Sequence, residues 1–180
     1  MSSSSTLTFA FVTPGPGDHW VNRLTAAVSK HPVCHVELFF DTINMCFSIV
    51  YGERCGLRYK SMANPNYRIV ALSVSQKEYD TCLDFCRTAK TWDLEFDDTG
   101  MWRSYYTPSC CGRSSQHVGY TFCSKIITEA LLFAELPEVN HCNPSCMTPS
   151  RLYELLTKSD RIVCNTVPYK CQALSTRVIP

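Results

Sequence analysis

The apolar positions of the chain change rhythm several times, and each change marks an element. Leu7 to Thr13 is a short apolar run closed by Pro14-Gly15-Pro16-Gly17, after which Trp20, Leu24 and Val28 recur at helical spacing behind Asp18, a residue suited to an N-cap. This predicts a strand, a tight loop and a helix. Cys34 to Phe40, Met45 to Tyr51, Leu57 to Lys60 and Tyr67 to Val74 are rich in β-branched and aromatic residues, with Asp41-Thr42, Gly52-Glu53 and Asn64-Pro65 between them. These runs predict a meander of antiparallel strands. Ser75-Gln76-Lys77-Glu78 has the form of a capping box, and Tyr79, Cys82, Leu83 and Cys86 behind it keep helical spacing, so a helix reaching roughly to Lys90 follows.

Between Thr91 and Gly119 the period is lost, with Trp92, Trp102, Tyr105 and Tyr106 scattered among Asp97-Asp98, Pro108 and Cys110-Cys111-Gly112. A long, partly ordered loop is expected there, with Asp97-Asp98 as a solvated turn and the aromatic residues available to line a pocket. Helical spacing returns from Thr121 to Glu135 through Ile126, Ile127, Ala130, Leu131 and Ala134. Thr148-Pro149 then offers an N-cap and a first-turn proline for a helix carrying Leu152, Leu155 and Leu156, and Arg161 to Val167 reads as a last strand. No repeat or low-complexity linker divides residues 1–180, so one α+β domain is expected.

Composition narrows the function. Lys and Arg number 17 against 16 Asp and Glu, a net charge of +1 that argues against a nucleic-acid partner. Hydrophobic residues at 45% and charged residues at 18% supply a core and exclude disorder as the main state. The Ser- and Thr-rich start, Met1 to Thr8, lacks the basic and greasy parts of a signal peptide, and no apolar run is long enough to span a bilayer. A soluble, cytoplasmic protein without an integral membrane segment is expected. In that reducing setting most of the 12 cysteines are read as thiols, and those in apolar runs, such as Cys46 and Cys164, as small buried hydrophobes.

Two positions suggest thiol chemistry. His35 and Glu37, two apart in a predicted strand, project from one face, where a carboxylate would raise the basicity of the imidazole and orient it. The same spacing also fits a solvent-facing polar stripe opposite Cys34, Val36, Leu38 and Phe40. Cys123 falls in the first turn of a predicted helix, where free N–H groups and the helix dipole stabilise a thiolate, although a small packing residue would occupy the same place. His31 precedes Pro32 and is expected in a loop. His141, Cys142 and Cys146, with Cys110, Cys111 and His117, offer zinc-type ligands at a spacing looser than paired Cys-x-x-Cys, which favours loop cysteines or a disulfide. Cys82 and Cys86, one turn apart, are expected on a core-facing stripe.

The order of these features resembles the circularly permuted branch of the NlpC-type papain-like fold, which includes the bacterial YiiX-like proteins, lecithin:retinol acyltransferase relatives and a poxvirus family. The resemblance covers most of the chain. It rests on Pro14-Gly15-Pro16-Gly17-Asp18 before a short helix, on His35-Val36-Glu37-Leu38 opening a strand, on Thr121-Phe122-Cys123-Ser124 opening a helix, and on Thr148-Pro149 with Leu152 heading the next. The histidine strand precedes the cysteine helix, the reverse of ordinary papain-like order. The resemblance implies an antiparallel sheet packed against helices, with Cys123 as nucleophile, His35 as base and Glu37 as the polar third member. The implied activity is a cofactor-independent hydrolase or acyltransferase that forms an acyl-enzyme from a peptide, a protein conjugate or an acyl lipid. The alternative from another class is a non-enzymatic interaction protein on the same scaffold, stapled by zinc between Cys110 and Cys146.

Overall fold

The computed structural model describes residues 4–107 and 119–166. Its elements run β1 (Ser4–Val12), α1 (Trp20–Ser29), β2 (His35–Phe40), β3 (Met45–Ser48), β4 (Gly56–Arg58), β5 (Tyr67–Ser75) and α2 (Gln76–Ala89), then β6 (Glu95–Phe96), α3 (Asp98–Tyr106), β7 (Tyr120–Thr121), α4 (Cys123–Phe133), α5 (Pro149–Leu156) and β8 (Ile162–Thr166). The fold is α+β, with five helices and a six-stranded antiparallel sheet among the described residues. No helix among them is long and apolar enough to cross a membrane.

The sheet order is β4-β3-β2-β1-β5-β8. The expected meander therefore holds for β2, β3 and β4 but stops there, because β5 crosses to the far side of β1. Length explains the choice: β1 and β5 pair over nine residues, from Ser4 with Ser75 to Val12 with Tyr67, whereas β4 has only three residues to offer. The same pairing extends β1 three residues ahead of its predicted start at Leu7. It also lays residues 59–66 across one face of the sheet, which matters for the site below.

Alternation along the strands gives the sheet two buried faces. Leu7, Phe9, Phe11, Val36, Leu38, Phe47, Val70 and Leu72 face α2, α4 and α5, meeting Tyr79, Cys82, Cys86, Ile126, Leu131 and Leu152 in the main core. The other face carries Ala10, Phe39, Cys46, Tyr67 and Ile69, covered in part by Met62. Cys46 and the Cys82–Cys86 stripe are buried, while Cys164 on edge strand β8 is only half-buried.

Helix ends follow local chemistry with two corrections. Ser75 and Glu78 close the capping box of α2 reciprocally, and Thr148 caps α5 ahead of Pro149. The cap of α1 is His19, whose Nδ1 accepts from the Val21 N–H at 3.4 Å, and not Asp18. Asp18 instead accepts from the Gly15 N–H at 2.5 Å, tying the Pro-Gly loop shut.

The region from Thr91 to Gly119 is more ordered than its sequence suggests where it is described. β6 and β7 pair in parallel, the Asp97 N–H donates to the Thr121 carbonyl at 2.7 Å, and α3 starts at Asp98. Asp97 is buried and caps α3 through its Oδ1, which accepts from the Gly100 N–H at 2.7 Å, so it is no solvated turn. Gly100 permits this: a Cβ there would stand 2.6 Å from the Asp97 Cγ. The pairing also takes Thr121 into a strand, so α4 begins at Cys123 itself.

Two truncations separate packing from capping. Leu38→Ala, which empties a fully buried position, is expected to cost about 2–5 kcal/mol, and Ser75→Ala, which opens the capping box, about 1 kcal/mol. Urea unfolding followed by far-UV circular dichroism checks both.

Candidate active site

β2 opens with the residues of interest. His35 and Glu37 share a face, as their spacing requires, but that face is not open to solvent: their side chains are 12% and 1% exposed. The strand crossing that carried β5 past β1 covers them, because residues 59–66 bring Lys60 and Asn64 over β2 and Tyr67 rises from the far strand. The Tyr67 hydroxyl donates to Glu37 Oε2 at 2.6 Å, and Lys60 Nζ donates to Oε1 at 2.5 Å. His35 Nε2 lies 3.4 Å from the same Oε1 but makes no well-aligned hydrogen bond there. The reading of this pair as a solvent-facing stripe is therefore set aside.

Cys123 is the first residue of α4 and 3% exposed. The His35 ring, and after it the N–H groups of Val36 and Ser124, lie near enough to its sulfur to favour the thiolate. Phe122, the residue before it, supplies no side-chain cap to α4. Sequence, helix start and strand thus converge on three residues: the structure brings Cys123, His35 and Glu37 together.

Electrostatics polarises the trio. Burial alone would raise the Glu37 pKa, but the close contact and charge of His35, then Lys60 and Tyr67, pull it from the usual 4.5 to about 2. Burial would push His35 down, yet the charge and hydrogen bond of Cys123, joined by Glu37, leave its pKa raised. Cys123 is the mirror case: burial raises its pKa, and the His35 charge and hydrogen bond, with the two backbone N–H donors, bring it below an ordinary thiol. Both shifts favour a thiolate against an imidazolium. Cys34, beside them, is pushed to about 12 by burial first and the Cys123 charge second, so it stays a thiol and donates to the Val12 carbonyl at 3.3 Å.

A cavity of about 180 Å³ opens onto the trio. Val21, Tyr51, Phe96 and Met101 form its apolar wall, and Asp18 and Lys60 stand on its polar side. Sequence reading missed Lys60 and Tyr67 as holders of Glu37, since nothing local links them to β2. Trp92, Trp102, Tyr105 and Tyr106, the aromatic residues expected to be available to a pocket, do not line this cavity, whereas Phe96 and Met101 of the same region do.

Other candidates lie elsewhere. His31 Nδ1 accepts from the Val33 N–H at 3.2 Å and its ring packs on Tyr153, with burial lowering its pKa. Cys110, Cys111 and His117 fall outside the described residues, while Cys142 packs half-buried against the main core and Cys146 is buried. Among the described residues no three His, Cys, Asp or Glu side chains are gathered as a metal-binding group.

No family model, no curated protein and no solved structure matches this chain. The functional reading rests on the site.

The buried carboxylate gives a pH signature. Because the Glu37 pKa is depressed in the folded state, its stabilising contribution is complete above about 4.5 and is lost as pH falls toward about 2. Glu37→Gln is expected to be less stable than the wild type at neutral pH and to lose less of its stability across that acid window. Urea unfolding at stepped pH measures the difference, and parallel profiles would contradict it.

Proposed function

We propose that the protein is a thiol-dependent hydrolase or acyltransferase of the circularly permuted NlpC-type papain-like class, working through Cys123, His35 and Glu37. The observation that carries the reading is Cys123 at the first residue of α4, sharing one cavity with the largely buried imidazole of His35, which is backed by a buried, triply contacted carboxylate. A nucleophile, a proton carrier and an orienting anion are the parts that covalent acyl transfer needs.

The Cys123 thiolate attacks the carbonyl carbon of an ester, thioester or amide, and the carbonyl π electrons move onto its oxygen. The Cys123 N–H, at the uncapped start of α4, points the helix dipole at that charge. As the adduct collapses, the imidazolium of His35 gives its proton to the leaving alkoxide, thiolate or amine, leaving an acyl-thioester on Cys123. Neutral His35 then removes a proton from water or another acceptor, which releases the acid or a new acyl product and restores the ion pair. Glu37 stays ionised throughout and holds the ring, while Lys60 and Tyr67 keep Glu37 from turning away. Peptide, protein-conjugate and acyl-lipid carbonyls all suit this chemistry.

4-Nitrophenyl acetate tests the reading. Wild-type protein is expected to release a burst of one nitrophenolate per chain, with the acetyl group found on Cys123 by peptide mass spectrometry. Cys123→Ala abolishes the burst, and His35→Ala slows it by about 100- to 10,000-fold. Acetylation spread over several cysteines, or a burst that survives Cys123→Ala, would refute the proposal.

A further inference from the structure

A second sulfur stands in the cavity, and acyl transfer leaves it idle. Among the described residues, Cys34 and Cys123 are the two cysteines that line this space of about 180 Å³. The fold sets them close together. Cys34 alternates with His35 and so shares with Val36 the face on which α4 packs. Cys123 opens α4 with its sulfur near the His35 ring and the Val36 N–H, one and two residues along the chain from Cys34. Cys34 is held in the resting site by its S–H bond to the Val12 carbonyl at 3.3 Å, and a thiol is a weak donor. The other buried cysteines are placed differently: Cys46 lies on the opposite face of the sheet, and Cys55, Cys82 and Cys86 belong to the main core.

We infer that Cys34 is the resolving partner of Cys123 in an oxidative modification, in which a hydroperoxide entering the cavity is reduced and the two cysteines close into a reversible disulfide. The inference rests on the reading of Cys123 as the ionised nucleophile, and it adds a reaction that acyl transfer does not require. The Cys123 sulfur attacks one peroxide oxygen and gives it an electron pair. The O–O bond breaks, the departing hydroxide takes the His35 proton and leaves as water, and Cys123 becomes a neutral sulfenic acid. Burial first and the Cys123 charge second had kept Cys34 a thiol, and this step removes the charge. It also leaves a neutral His35, next to Cys34 in the chain, to take the Cys34 proton. The Cys34 sulfur then attacks the Cys123 sulfur, the S–O bond breaks as the S–S bond forms, and the hydroxyl leaves with that proton as a second water. Two thiols lose two hydrogens and one hydroperoxide is reduced. With its sulfur in a disulfide, Cys123 has no thiolate to offer a carbonyl, and a reducing thiol restores it.

Hydrogen peroxide is the probe. The folded wild-type protein is exposed to it, the remaining thiols are blocked with N-ethylmaleimide, and trypsin with Glu-C digests the product without reduction. Cleavage after Glu37 separates Cys34 from Cys46, and Cys123 is alone in its tryptic peptide. The Cys34 peptide is expected to be joined to the Cys123 peptide, with the 4-nitrophenyl acetate burst lost and then regained on adding dithiothreitol. Cys34→Ala is expected to show the wild-type burst before oxidation. After peroxide its burst is expected to stay lost, because an unresolved sulfenic acid goes on to sulfinic acid, which dithiothreitol does not reduce. Cys123 found as sulfinic acid beside a free Cys34, joined to another cysteine, or still a thiol overturns the inference and leaves the nucleophile standing; a burst regained equally in Cys34→Ala does the same. The wild-type peptide map decides the matter even if that variant fails to fold. A Cys34–Cys123 disulfide in a protein that 4-nitrophenyl acetate never acetylates on Cys123 overturns the acyl-transfer reading and leaves the oxidative role standing.

Discussion

The arrangement depends on one buried anion. A carboxylate that is 1% exposed is tolerable only when its oxygens are hydrogen-bonded and its charge is opposed, and Glu37 obtains this from three directions. Tyr67 comes from the start of β5, Lys60 from the crossing segment, and His35 from the same strand. Tyr67 and Lys60 are where they are because β5 pairs with β1 instead of β4. The long pairing that stabilises the sheet is therefore also what encloses the carboxylate and sets the imidazole.

From that anion the polarity runs outward to the sulfur. Glu37 favours the charged form of His35, His35 favours the charged form of Cys123, and the N–H groups of Val36 and Ser124 complete the stabilisation of the thiolate. The main core supplies rigidity rather than charge: α4 is clamped between sheet and α2 by Ile126, Ala130 and Leu131, so its first residue is held in register with the start of β2. Cys34 shows what a neighbouring cysteine becomes without the imidazole, a buried thiol with its pKa pushed up. Two buried sulfurs bordering one cavity are thus pushed in opposite directions, because only Cys123 has partners that outweigh its burial.

Much of this was legible in the chain because its signals are local. The capping box at Ser75 and Glu78, the Thr148-Pro149 start and the alternating strands rest on neighbours within a few residues, and each appears within three residues of its expected place. The pairing of His35 with Glu37 and the place of Cys123 in the first turn of a helix were likewise readable from spacing, although the helix starts at Cys123 and not near Thr121. What was not readable depends on contacts far apart in sequence. The position of β5 is a competition between possible partners, and the grip of Lys60 and Tyr67 on Glu37 follows from it. Helix α3 was hidden because its cap, Asp97, reads as part of a polar turn until the parallel pairing of β6 and β7 fixes it in place. The Asp97-to-Gly100 spacing, followed by Met101 and Tyr105 four apart, was the available signal for that helix.

The central claim is that Cys123 is a thiolate at pH values where an ordinary cysteine is not. The direct measurement is limiting iodoacetamide applied to the folded protein across a pH series, with the order of labelling read by peptide mass spectrometry. The account predicts that Cys123 is labelled first despite its burial, that its rate persists well below the ordinary thiol pKa of about 8.5, and that His35→Ala removes this persistence. Labelling that begins at the half-buried Cys142 and Cys164, with Cys123 titrating as a common thiol, would contradict it.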